Sequence, residues 1–97
     1  MNEQQQAIND FLTYLAQEKR MSPHTVKNYQ RDLKQLVAFC EQLDLSVWQS
    51  VKSSHIRQLI SQLHRQDLAS RTIQRLLSAI RSFYRYLIRE GMADNNP

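Results

Sequence analysis

Glycine occurs once, proline twice and cysteine once in 97 residues, and each scarcity excludes something. With so little turn material and no alternating apolar–polar run, the chain has nothing from which to build hairpins, so the fold class is all-α. One cysteine permits no internal disulfide and suits a reducing, cytoplasmic setting. No apolar run approaches the ~18 residues that a membrane span needs, and the N-terminus lacks the charged-then-apolar pattern of a secretory signal. Acids are missing from one long stretch: Ser70 to Arg89 holds five arginines and no Asp or Glu.

A hydrophobic content of 41% supports one packed domain without staples. The net charge of +4 favours an anionic partner only weakly, but its distribution says more. Lys19, Arg20, Lys27, Arg31 and Lys34 stand against a single acid, Asp32, and Arg71, Arg75, Arg81, Arg85 and Arg89 against none. The remaining segments hold three basic residues and eight acids. Positive charge therefore sits in two blocks.

Apolar periodicity predicts a four-helix bundle, with room for a short extra helix. The first helix spans about Glu3 to Lys19 and carries Ile8, Phe11, Leu12 and Leu15 on one stripe. The second opens with Ser22 as N-cap and Pro23 at the first helical position, where a missing N–H costs nothing. It runs to about Leu43 with Val26, Tyr29, Leu33, Leu36, Val37 and Cys40 inward. Leu45, Val47, Trp48 and Val51 anchor the connection that follows. A third helix begins after Ser53 or Ser54, buries Ile56, Leu59, Ile60 and Leu63, and ends near Gln66. The fourth begins after Ser70 and stops at Gly91, which suits a left-handed cap. Its core face is Ile73, Leu76, Leu77, Ile80, Phe83, Tyr84, Leu87 and Ile88. Residues 1–91 then form the domain, and 92–97 read as the start of a linker to an absent second domain.

Two faces carry the chemistry. Arg71, Arg75, Ser78, Ser82, Arg85 and Arg89 lie opposite the apolar stripe of the fourth helix, with Gln74 and Arg81 on its shoulder. An ordinary solvated face mixes acids with bases, because oppositely charged i,i+4 pairs help a helix. Guanidinium groups and small hydroxyls with nothing to neutralise them suit phosphates and base edges. His24, Lys27, Asn28, Arg31 and Gln35, with Lys34 at the shoulder, repeat that pattern on the second helix. From Arg71 to Arg89 is about 27 Å at about 1.5 Å per residue, whereas a major groove is only about 12 Å wide. Base reading is therefore expected of Arg71, Gln74, Arg75 and Ser78, and phosphate contact or solubility of Arg85 and Arg89. Thr25 and Thr72 fit either a first-turn stabiliser or a phosphate donor.

The run Met21-Ser22-Pro23-His24-Thr25-Val26-Lys27-Asn28-Tyr29-Gln30-Arg31-Asp32-Leu33 resembles the Ser-x-x-Thr-x-x-x-Tyr-x-x-Asp-Leu signature of tyrosine site-specific recombinases. Thr72 to Leu87, with its Leu77-Ser78-Ala79-Ile80-Arg81 centre, is similar to the later helix of the same domain, and Asn96-Pro97 to its exit dipeptide. Ser22-Pro23, Asn28-Tyr29-Gln30-Arg31 and Trp48-Gln49 resemble the Xer type, its XerC branch in particular. The resemblance implies a SAM-like core-binding domain with orthogonally packed helices, forming half of a clamp on a double-stranded DNA recombination half-site. It implies DNA binding through His24, Thr25, Lys27, Asn28, Arg31, Arg71, Thr72, Gln74, Arg75 and Ser78. It also implies a XerD-like partner recombinase, an FtsK-like translocase and a role in resolving chromosome dimers at cell division. The family's catalytic residues belong to another domain, and none of Tyr14, Tyr29, Tyr84 or Tyr86 matches its nucleophile. This chain is expected to bind DNA without cutting it, and needs no cofactor.

Rival readings are a phage, transposon or integron integrase domain, or a helical module docking an acidic protein. His24, His55 and His64 lack partners at metal-ligand spacing, and Cys40 points into the expected core. Trp48 is expected to plug that core rather than stack on a base.

Overall fold

The computed structural model describes residues 3–97. Four helices follow in order, α1 (Glu3–Gln17), α2 (Pro23–Gln42), α3 (Ser53–Arg65) and α4 (Ser70–Arg89), with one 3₁₀ turn at Trp48–Ser50 between α2 and α3. No strand occurs among the described residues. Helices α1, α2 and α4 pack on one another, and α3 adds Ile56, Leu59 and Leu63 to the same core.

The centre of that core is aromatic. Phe11 meets Tyr29 edge-on at 6.0 Å and lies 5.3 Å from Phe83 and 5.4 Å from Tyr86, so α1, α2 and α4 share one cluster. Trp48 closes it edge-on against Phe83 at 4.9 Å. Its indole N–H donates to the Gln4 carbonyl at 3.0 Å, and the Tyr84 hydroxyl donates to the Trp48 carbonyl at 2.6 Å. The buried Gln4 amide donates in turn to the Leu45 carbonyl. Trp48 is thus a core plug whose polar edges are all satisfied, as its lone position in a connection suggested.

Helix starts follow the cap expectation at one place and depart from it at two. Ser22 is extended (φ −62°, ψ 151°) and accepts from the Thr25 N–H at 3.2 Å, with Pro23 next. Ser53 and Ser70, expected just outside their helices, are instead the first helical residues, and Lys52 and Ala69 occupy the N-cap positions. At α3 the cap comes from inside, because His55 Nδ1 accepts from the Lys52 N–H at 2.9 Å. At α4 no side chain caps the first turn.

Helix ends explain how one glycine suffices. Gly91 has φ +74°, Met92 N–H reaches the Leu87 carbonyl at 2.8 Å and Gly91 N–H the Ile88 carbonyl at 3.1 Å, the paired bonds of a Schellman turn. Asp44 (φ 56°) after α2 and Asp67 (φ 61°) after α3 close the same pair of bonds, through Leu45 to Cys40 and Leu68 to Leu63. Aspartate tolerates the left-handed region better than most residues. The first helix stops at Gln17 rather than Lys19, and Arg20 takes φ 53°.

The buried faces differ from the expected stripes in detail. Ile88 is 40% exposed and Leu77 half-buried, while Ala79 is buried. The inward arc of α4 is rotated toward Ala79, whose small side chain lets a neighbour come close. Phe39 joins the α2 core one turn after Leu36, and so does a charged residue, Asp32, at 2% exposure. After Gly91 the chain turns back onto the domain: Ala93 is buried, Asp94 accepts from Gln49 at 2.6 Å, and Asn96 donates to the Arg81 carbonyl.

Candidate nucleic-acid interface

Asp32 organises the surface. A lone carboxylate taken out of water is strongly unfavourable unless paired and hydrogen-bonded. Its partner comes from α4: Arg75 Nε donates to Oδ2 at 3.0 Å and to Oδ1 at 3.3 Å, and Nη2 donates to Oδ1 at 2.9 Å. This is a side-on, two-pronged contact between a 2% exposed acid and a 44% exposed guanidinium. The hydrogen bonds from Arg75 to the carboxylate raise the arginine's already high pKa further, so its charge is permanent.

The pair joins the two basic faces. Asn28, Arg31 and Gln35 lie within one turn of Asp32 on α2, and Arg71, Gln74 and Ser78 within one turn of Arg75 on α4. Because the ion pair fixes one helix against the other, these side chains border a shared seam. His24, Lys27, Arg31, Arg71, Gln74, Arg75 and Ser78 are exposed, while Asn28 and Thr72 are half-buried. The one acid of the first basic block is therefore sequestered beneath the surface, and α4 brings none of its own.

Individual side chains divide by what they already touch. Arg31 donates to the Asn28 amide oxygen, which holds both across one turn of α2. The Thr25 hydroxyl lies 3.0 Å from that of Ser22, so Thr25 serves the cap. Arg75 spends its Nε edge on Asp32, and its Nη1 end stays free to form the fork that suits a guanine edge or a phosphate. Asp32 thus holds Arg75 pre-oriented. The uncapped amides of the first turn of α4, beside Arg71 and Thr72, add an anion-favouring helix end.

Toward the C-terminus of α4 the arginines are committed elsewhere. Arg85 donates to Ser82. Arg89 stacks over the Tyr14 ring at 4.6 Å, donates to its hydroxyl at 3.2 Å and pairs with Glu90 at 3.3 Å. The open cationic chemistry therefore concentrates on the N-terminal halves of α2 and α4. Sequence reasoning missed the Asp32–Arg75 bond, although its signal was present. Asp32 falls on the stripe Tyr29, Leu36, Phe39, where only an acid with a partner can sit.

Residues 8–91 match the family "Phage integrase, N-terminal SAM-like domain", and the chain belongs to that family. Among curated proteins it is similar to the tyrosine recombinase XerC of Alcanivorax borkumensis, with 48% identity over 95% of this chain and 29% of that protein. It is also similar to XerC of Azotobacter vinelandii (43%, over 93% of this chain and 30% of that protein) and of Pseudomonas fluorescens (40%, over 96% and 31%). The chain spans about three tenths of the length of these relatives. No solved structure matches it.

Proposed function

We propose that this chain is the DNA-gripping domain of a XerC-type tyrosine recombinase, which holds one half-site of a recombination target and leaves cutting to another part of the protein. The observation that carries this reading is the exposed basic surface of residues 23–35 of α2 and the N-terminal half of α4, in which the one acid, Asp32, is buried under Arg75. Lys27 and Arg31 would meet phosphates and supply most of the affinity. Arg71, Gln74, Ser78 and the free end of Arg75 would reach base edges and supply preference. His24, Asn28 and Thr72 border the same seam, and Thr25 contributes by holding the start of α2.

The similarity to XerC proteins favours this reading over a mobile-element integrase. It also supports a cytoplasmic protein that works with a XerD-like second recombinase and an FtsK-like translocase in separating joined chromosomes. Residues 92–97 would lead into the catalytic domain, and the complete enzyme would exchange strands through a tyrosine–phosphate bond.

The test is fluorescence anisotropy of the 97-residue chain on a labelled Xer half-site and on a scrambled duplex, at two salt concentrations. Tighter binding to the half-site, with steep salt dependence on both, is the expected result. No binding to either duplex at low salt overturns it.

A further inference from the structure

We propose that the groove between α2 and α3 is a second phosphate-backbone seat, which makes α3 part of the DNA-holding surface. The inference rests on the DNA-binding reading above and extends it to a helix that neither the sequence motifs nor the Arg75 seam includes. Lys34, Gln35, Ala38, Phe39 and Gln42 of α2 face Leu59, Gln62 and Leu63 of α3 and its C-cap Gln66 across an open groove of about 300 Å³.

Three observations point to its occupant. The first is amide chemistry: four glutamines line the groove, Gln35 and Gln62 are half-buried, and neither makes a side-chain hydrogen bond among the described residues. Half-sheltered N–H₂ donors of this kind are available to an acceptor from outside. The second is charge: no acid occurs between Asp44 and Asp67, while Lys52, Arg57 and Arg65 do. Arg65 lies one turn from Gln62 on the outer shoulder of α3 and is exposed. A ligand in the groove therefore meets amide donors from both walls and the positive charge of Lys34 from α2, with no acid in the lining. The third is continuity. Lys34 also lines the shallow depression formed with Lys27, Gln30 and Arg31, so the groove opens from the basic surface of α2.

Shape decides which part of DNA fits. Base edges are read by side chains that project into a groove of the duplex, whereas a concave channel between two helices accepts the convex ridge of a sugar–phosphate strand. Amides and cations that bind phosphate oxygens carry little sequence information. Contacts in this groove add affinity to every duplex alike and fix how the domain is rotated on it.

The experiment uses the intact chain. Gln62→Glu combined with Gln66→Glu places two carboxylates where phosphates are proposed to sit. Affinity should fall about tenfold or more on the half-site and the scrambled duplex equally. Arg65→Gln should flatten the log–log salt slope by about 0.9, with the melting temperature unchanged in both variants. Wild-type affinity in the double variant, or a loss confined to the half-site, overturns the proposal. If the wild-type chain binds no duplex, the DNA-binding reading itself fails. If it binds, and Arg71→Ala weakens it while the α3 variants do not, only the groove is wrong.

Discussion

Arg75→Ala is the most revealing single change, because it removes a fold-fixing bond and a proposed DNA contact together. Asp32 is 2% exposed and accepts three hydrogen bonds from Arg75. Leaving such a carboxylate buried and unpaired costs about 3–5 kcal/mol. Arg75 is itself 44% exposed, so water reaches the vacated space and the lower end applies, about 3 kcal/mol. A domain of this size has about 5–15 kcal/mol of stability in total. For about 100 residues, that loss lowers the melting temperature by about 15 °C. The assay is thermal unfolding followed by circular dichroism. Asp32→Leu with Arg75→Met serves as the control, since exchanging both partners for apolar groups is often neutral or stabilising. This pair should melt near the wild type yet bind the half-site more weakly by about 1–3 kcal/mol, with relaxed base preference. A melting temperature within about 3 °C of wild type for Arg75→Ala refutes the reasoning, since that is less than 1 kcal/mol on the same scale.

Other changes test separate parts of the account. Gly91→Ala should cost about 1–2 kcal/mol, all of it from backbone conformation, because φ is +74° and an added Cβ meets no atom within 4 Å; urea denaturation measures it. Burial pushes the Cys40 thiol up from its ordinary 9.0 to about 11, and burial also raises the Tyr84 hydroxyl. Folding thus favours both neutral forms: the Cys40 contribution is complete below pH 9 and lost as pH rises through about 11, and the Tyr84 contribution is lost only as pH rises above 10. Urea midpoints should fall steadily over that window, and a flat profile contradicts the burial of both groups. Tyr84→Phe should cost about 0.5–1.5 kcal/mol by removing one of the two donors to the Trp48 carbonyl, which keeps the Val51 N–H at 3.3 Å. Lys27→Ala should weaken specific and scrambled duplexes alike and flatten the salt slope by about 0.9; an unchanged slope removes Lys27 from the interface.

Most of the helical frame could be read from local rules, since local rules produce it. Ser22 and Pro23 start α2 because one accepts an amide N–H and the other needs no acceptor. Gly91 ends α4 because the turn there needs a positive φ. The same logic missed Asp44 and Asp67, which close equivalent turns at more strained cost and leave only a weak signal in composition. Ser53 and Ser70 misled by one residue, because helix starts depend on the path by which the chain arrives. The two basic faces were visible as charge segregation. Their junction was not, because Asp32 and Arg75 are 43 positions apart and periodicity places a charged residue outward by default. Burial of Asp32 shows itself only when α2 is seen against α4. The segment after Gly91 has no periodicity, yet it returns to Gln49, 45 positions away, and to Arg81, 15 positions away.

The most direct measurement is an NMR titration of the ¹⁵N-labelled chain with half-site duplex, following every backbone amide. The account predicts that the largest shifts fall on residues 24–35 of α2 and 71–78 of α4, with smaller ones along residues 62–66 at the end of α3. Shifts confined to α1 and to residues 85–97, with the Asp32–Arg75 seam unmoved, would contradict it.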